Sequence, residues 1–128
     1  MRRDPLRVLL VDDDQAFVEA MAASLRDVPD VEVVGFALDG LQAITRATHA
    51  RPDVVLMDVD MPRLDGIQAT QIILADDPRC LVVAVSGHPD REPQALAAGA
   101  HAFHRKDDGL FDTLAARLRS LTAHDAAA

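Results

Sequence analysis

The chain has no tryptophan, no tyrosine and a single cysteine among its 128 residues. One thiol, Cys80, excludes an internal disulfide and any zinc centre built on several cysteines. Such sparing use of cysteine fits the cytosol, where thiols stay reduced. Basic residues are the minority: 13 against 21 acidic ones, a net charge of −8. That balance argues against nonspecific binding of nucleic acid or of an anionic membrane by this domain. No stretch approaches the roughly 18 consecutive apolar residues of a membrane span. The opening apolar run is short and meets three aspartates without a cleavage-like segment, so it does not read as a signal peptide. Internal repeats, low-complexity tracts and interdomain linkers are also missing.

What is present is apolar material, 49% of the residues, mostly Val, Leu and Ala. The length corresponds to one domain, which should bury about two-thirds of the surface its unfolded chain exposes. The hydrophobic period alternates along the chain. Leu6 to Val11 reads as a buried strand, closed by Asp12, Asp13 and Asp14. Phe17, Met21, Leu25 and Val28 then recur at helical spacing, with Asp14 as the N-cap. Val31 to Phe36 is a second strand, followed by a helix marked by Leu41, Ile44 and Ala47. Val54 to Met57 is a third strand and runs into Asp58. A Pro- and Gly-containing loop to Gly66 precedes a helix that stops near Pro78. Cys80 to Val85 is a fourth strand, Pro93 to Ala98 a short helix, and Ala100 to Phe103 a weak fifth strand. Leu110, Leu114, Leu118 and Leu121 stripe the last helix, and residues 123–128 read as a frayed tail. Five strand–helix units with near-continuous apolar strands predict a parallel sheet covered on both faces, an α/β/α sandwich.

In an open parallel sheet, ligands bind outside the carboxyl ends of the strands. The residues that follow each strand are therefore the informative ones. Asp12 and Asp13 follow strand one, Asp58 and Asp60 strand three, Ser86 and His88 strand four, and Lys106 strand five. Three crowded carboxylates repel unless a cation neutralises them. Mg²⁺ suits oxygen ligands of this kind, whereas the scattered histidines offer no zinc spacing. A carboxylate can attack phosphorus to form an aspartyl phosphate, and Asp58, fixed at the end of a buried strand, suits that role. Ser86 and Lys106 would contact the phosphoryl oxygens.

The segments LLVDDD, VVLMDVDMPRLDG, VVAVSG and FHRKD together resemble the response-regulator receiver domain of two-component signalling. The resemblance spans about Leu6 to Leu121 and implies a receiver domain over residues 5–122. It implies a flavodoxin-like fold with strand order 2-1-3-4-5. It also implies that Asp58 is the phosphoacceptor, that Asp13 is a direct Mg²⁺ ligand and that Asp12 holds the metal through water. The backbone carbonyl of Asp60 matches a third protein ligand. Ser86 and Lys106 match the pair that senses the phosphoryl group, and Phe103 matches the aromatic switch. Asp60 and His88 occupy positions that tune dephosphorylation. The implied partner is a sensor histidine kinase or a phosphotransfer protein. A homodimer would form through helix 4–strand 5–helix 5 or the last helix.

The FHRKD ending is similar to the subfamily that often carries a C-terminal LuxR-type DNA-binding domain, which implies a transcriptional output through a part outside this sequence. Three other readings compete. One is a stand-alone receiver acting by protein–protein contact or phosphotransfer. Another is a pseudo-receiver that only binds proteins. The last is a phosphatase using Asp58 and Asp60 as a DxD pair, although Pro62 stands where that family has Thr or Val. The leading reading is a switch rather than a turnover enzyme.

Overall fold

In the computed structural model, residues 4–127 are described, the last five as backbone only. The elements alternate along the chain: β1 (Leu6–Val11), α1 (Gln15–Leu25), β2 (Val31–Ala37), α2 (Gly40–Ala50), β3 (Val54–Asp58) and α3 (Gly66–Asp76). There follow β4 (Leu81–Ser86), a 3₁₀ turn over Pro89–Arg91, α4 (Glu92–Ala97), β5 (Ala102–Arg105) and α5 (Leu110–Ala127). The five strands form one parallel sheet in the order β2-β1-β3-β4-β5. The fold is the flavodoxin-like α/β/α sandwich expected from the sequence.

The strands are apolar at nearly every position because both faces are covered. Val8, Leu10, Val54, Leu56, Val83 and Val85 face α1 and α5, where Val18, Met21, Leu25, Leu110, Leu114 and Leu118 meet them. Leu9, Val11, Val55, Met57 and Val82 face the other way, against Ala43 and Ala47 of α2 and Ala69 and Ile73 of α3. Successive side chains thus serve opposite layers. Full burial of a side chain such as Leu114 or Leu118 contributes about 1.5–3 kcal/mol.

Local signals set the helix starts. Asp14, Asp39 and Asp65 are N-caps whose side chains accept from the backbone N–H groups of Phe17, Gln42 and Gln68. Asp65 and Gln68 complete a reciprocal capping box. Gly99 ends the α4 segment with φ at +109°, a conformation that favours glycine.

Most boundaries agree with the sequence reading to within one residue, and two depart further. The fifth strand spans Ala102–Arg105 rather than Ala100–Phe103, because its pairing to β4 is set by Ala102 opposite Val83 and Arg105 opposite Ser86. At the C-terminus, α5 continues through residues 123–127, where a tail beyond the helix was expected. Ala128 lies outside the described residues. Among the described residues no helix is long and apolar enough to cross a membrane.

Candidate functional site

The sheet order places β1 and β3 side by side, with β4 and β5 following on. The chain leaves β1 toward one edge and returns to build the other, so the crevice at the carboxyl ends of β1 and β3 is the switch point of the topology. Every polar residue singled out by position gathers at this end of the sheet. Asp12 directly follows β1, Asp58 is the last residue of β3, and Ser86 is the last residue of β4. Lys106 follows β5, and its backbone N–H donates to the Ser86 carbonyl at 2.9 Å.

Carboxylate oxygens of Asp12, Asp13 and Asp58 lie within 4.8 Å of one another. Asp12 and Asp58 are almost fully buried, whereas Asp13 is exposed. Among the described residues their one nearby ammonium is Lys106, whose Nζ sits 2.7 Å from Asp12 Oδ2 and 3.6 Å from Asp58 Oδ2. The Asp12 contact is close, but its direction does not meet hydrogen-bond geometry, so this buried oxygen has no directed donor. Three carboxylates against one ammonium leave a surplus of negative charge. That surplus, the all-oxygen donor set and the undirected Asp12 oxygen fit a hard divalent cation such as Mg²⁺.

The titration behaviour follows from the same crowding. Burial, then the charge of Asp12, pushes the Asp58 carboxyl from 3.8 up to about 7, against the opposing pull of Lys106. Burial disfavours the charged form of Lys106, but the close contact with the Asp12 carboxylate and the charge of Asp58 outweigh it, so its pKa lies above the ordinary lysine value. Lys106 is also held from the side by the Phe17 ring, whose centroid is 4.5 Å from Nζ. Phe17 in turn packs on Phe111 of α5 at 5.4 Å between centroids.

Asp60 belongs to a second group. Its backbone N–H donates to Asp58 Oδ1 at 3.1 Å, but its carboxylate lies with the side chains beyond β4. Asp60 Oδ2 accepts from Ser86 Oγ at 2.5 Å and lies 3.2 Å from His88 Nδ1. Asp60 Oδ1 accepts from Arg91 Nη1 at 3.2 Å. Burial disfavours its ionisation, yet the bonds from Ser86 and His88 and the charges of His88 and Arg91 hold its pKa below the ordinary value. His88 itself is largely exposed. Phe103 is half-buried and packs against the small cluster of Val59, Ala84, Ala95 and Ala100.

The loop that delivers Asp58 is held by close packing. A Cβ on Gly66 would lie 2.1 Å from the Asp58 carbonyl oxygen and 2.8 Å from Val59 Cα. Only glycine lets α3 begin there. Arg91 and Phe17 were not marked by the sequence reading as site residues. Arg91 sits in a short Pro-Asp-Arg turn, and Phe17 carries the periodicity of an ordinary core position. Cys80, read as buried and inert, is buried, and desolvation pushes its thiol up to about 12.

Comparison with known proteins agrees with this geometry. The response regulator receiver domain profile matches residues 8–118. A protein-glutamate methylesterase/protein-glutamine glutaminase of Myxococcus xanthus is 39% identical over 127 residues, which cover 93% of this chain and 36% of that protein. The transcriptional regulatory protein LiaR of Bacillus subtilis is 38% identical over 100 residues, covering 77% of this chain and 47% of that one. The chain therefore spans about a third to a half of the length of these curated relatives. Among solved structures, the response regulator domain of Thermotoga maritima CheB superposes with a TM-score of 0.79 at 34% identity. That match covers 94% of this chain and 95% of the other.

Proposed function

This chain belongs to the response-regulator receiver family, which acts by conformational switching rather than by catalytic turnover, and on that premise we propose that it accepts a phosphoryl group on Asp58. The donor is a phosphohistidine of a sensor histidine kinase or of a phosphotransfer protein. The observation that carries the reading is Asp58 itself: a buried carboxylate at the end of β3, clustered with Asp12 and Asp13 and facing Lys106.

An Asp58 carboxylate oxygen attacks phosphorus. The new O–P bond forms as the N–P bond of the phosphohistidine breaks, and the imidazole keeps the electron pair and takes up a proton. Asp13 and Asp58 would supply carboxylate ligands for Mg²⁺, Asp12 would hold it through water, and the Asp60 carbonyl would be the further protein ligand. Mg²⁺ held there would offset negative charge on the transferred oxygens. Lys106 stays an ammonium beside the acceptor and stabilises the charge that develops on the phosphoryl oxygens. Ser86 and Phe103 relay the change to α4, β5 and α5, and Asp60 and His88 set how long the acyl phosphate survives. The functional unit is residues 5–122.

The output is made by protein–protein contact through the α4–β5–α5 face, where Leu96 is exposed. A second copy of the chain would dock on that same face. A transcriptional output through a LuxR-type domain has LiaR on its side, but methylesterases are as similar over more of the chain. The feature these relatives share with the chain is the receiver, so contact-mediated output is the better-supported reading. The cytosol remains the proposed compartment.

Incubation with acetyl phosphate, with and without Mg²⁺, tests the acceptor. We expect Mg²⁺-dependent addition of one phosphoryl group by intact-mass measurement, and none in Asp58→Ala. Labelling that persists in Asp58→Ala overturns the assignment.

A further inference from the structure

Beside the carboxylate cluster, three donors converge on a single anion. Ser86 Oγ, His88 Nδ1 and Arg91 Nη1 all meet the Asp60 carboxylate, at 2.5, 3.2 and 3.2 Å. Arg91 is braced for this contact. Its Nε donates to Gln94 Oε1 at 2.8 Å and its Nη2 lies 3.7 Å from Asp65 Oδ2. The Arg91 and Asp60 side chains are both about three-quarters buried, so the pair is more than a solvated surface contact.

A hydroxyl, an imidazole and a guanidinium fork are the groups that recognise phosphate oxygens as well as carboxylate oxygens. Ser86 closes β4, the strand hydrogen-bonded to β3, and Asp58 closes β3. Neighbouring strands lie about 4.8 Å apart, so a phosphoryl group on Asp58 reaches the Ser86 hydroxyl. That hydroxyl has one proton to donate, and it already donates to Asp60. Two anions side by side on it would repel each other. The Asp60 carboxylate and the phosphoryl group cannot both take the Ser86 proton, and their mutual repulsion sets them in competition for the neighbouring His88 and Arg91 donors.

We infer that Ser86, His88 and Arg91 form an anion subsite that Asp60 fills before phosphorylation and that the phosphoryl group on Asp58 takes over. Arg91 is then a phosphoryl-binding residue, and Asp60 is its internal competitor. The takeover breaks the Arg91–Asp60 pair next to the first residue of α4, which gives the site a direct mechanical link to that helix. This inference rests on the reading of Asp58 as the acceptor.

Beryllium fluoride, a phosphoryl analogue that binds an aspartate without covalent transfer, separates the two. It is titrated by calorimetry into the full chain with Mg²⁺, beside acetyl phosphate labelling. Asp60→Ala should bind it about tenfold more tightly, the effect of freeing donors from one charged hydrogen-bonding partner. Arg91→Ala introduced into the Asp60→Ala chain should lose most of that gain. In the parent chain, where the guanidinium is already engaged, Arg91→Ala should change affinity less than about threefold. Asp60→Asn, which keeps the shape and removes the charge, should move in the same direction as Asp60→Ala and replaces it if that variant does not fold. Without any phosphoryl analogue, Arg91→Ala should speed amide hydrogen exchange over residues 88–92. Unchanged or weaker binding in both Asp60 variants overturns the inference, as does an equal effect of Arg91→Ala in the two backgrounds. A parent chain that neither labels nor binds beryllium fluoride overturns the acceptor reading instead.

Discussion

Asp58 sits where ionisation is costly, and this has a measurable sign. Its folded pKa, about 7, lies above its ordinary value of 3.8, so the folded chain holds a proton that the unfolded chain gives up across that window. Stability falls as pH rises from about 4 to 7 and stays reduced above it. Asp58→Asn removes the ionisation. In a metal-free buffer at pH 8 it should be more stable than the parent by roughly 2–4 kcal/mol in urea denaturation. At pH 5 the gain should shrink by more than half; an equal gain at both pH values would discard the desolvation account. At this scale the sequence was informative wherever a polar residue closes an apolar strand or follows within two residues of it. Asp12, Asp13, Asp58, Ser86 and Lys106 are all of that kind, and the fold brings them to one end of the sheet. Arg91 was not legible because its partner Asp60 lies 31 residues away, and nothing local announces the contact. Phe17 looked like core because its helical period is that of core, and it does pack there, with one ring face turned to Lys106.

Among the elements, the junction of β3 and α3 carries the tightest demand. Gly66 places the first turn of α3 against the backbone of Asp58 and Val59 with no space for a methyl group. Gly66→Ala should therefore shift the loop, costing roughly 1–3 kcal/mol in denaturation, and slow labelling of Asp58 by acetyl phosphate. Loss of stability with an unchanged labelling rate would show that the junction supports the fold but does not position the acceptor. The central strands and the capped helices were readable because their signals are strong: continuous Val and Leu runs, Asp caps and Gly or Pro breaks. The weak elements were read less well. The turn at Pro89–Arg91 was missed, and β5 was placed two residues early, since an alanine-rich stretch has little period of its own and tertiary pairing decides its limits.

Taken as a whole molecule, the chain carries −8, and part of that charge is concentrated at one end of the sheet. A ligand that binds only the folded state stabilises it by mass action. At a Mg²⁺ concentration one hundred times its dissociation constant, the gain should be about 2.7 kcal/mol, read as a rise in melting temperature at pH 8. Asp13→Asn should lose most of that rise while melting near the parent temperature in chelator, because Asp13 is exposed and supports no core packing. A full Mg²⁺ response in Asp13→Asn would move the cation elsewhere. The sheet order was legible because a family resemblance and the two-sided burial of the strands agree. The output was not, because partner choice lives on exposed faces such as that of Leu96, where composition is weakly constrained.

The Phe17 ring over the Lys106 ammonium has a spectroscopic consequence. A chain without tryptophan or tyrosine has no strong intrinsic fluorophore to follow its switch. With the aromatic face 4.5 Å from Nζ, the methylene bonded to that nitrogen should feel the ring current of Phe17. Its proton resonances should therefore lie upfield in the resting chain, and movement of the lysine toward an anion on Asp58 should return them toward ordinary lysine positions, which a proton–carbon correlation spectrum would read. The molecule carries its own magnetic reporter at the centre of its chemistry, with no label added.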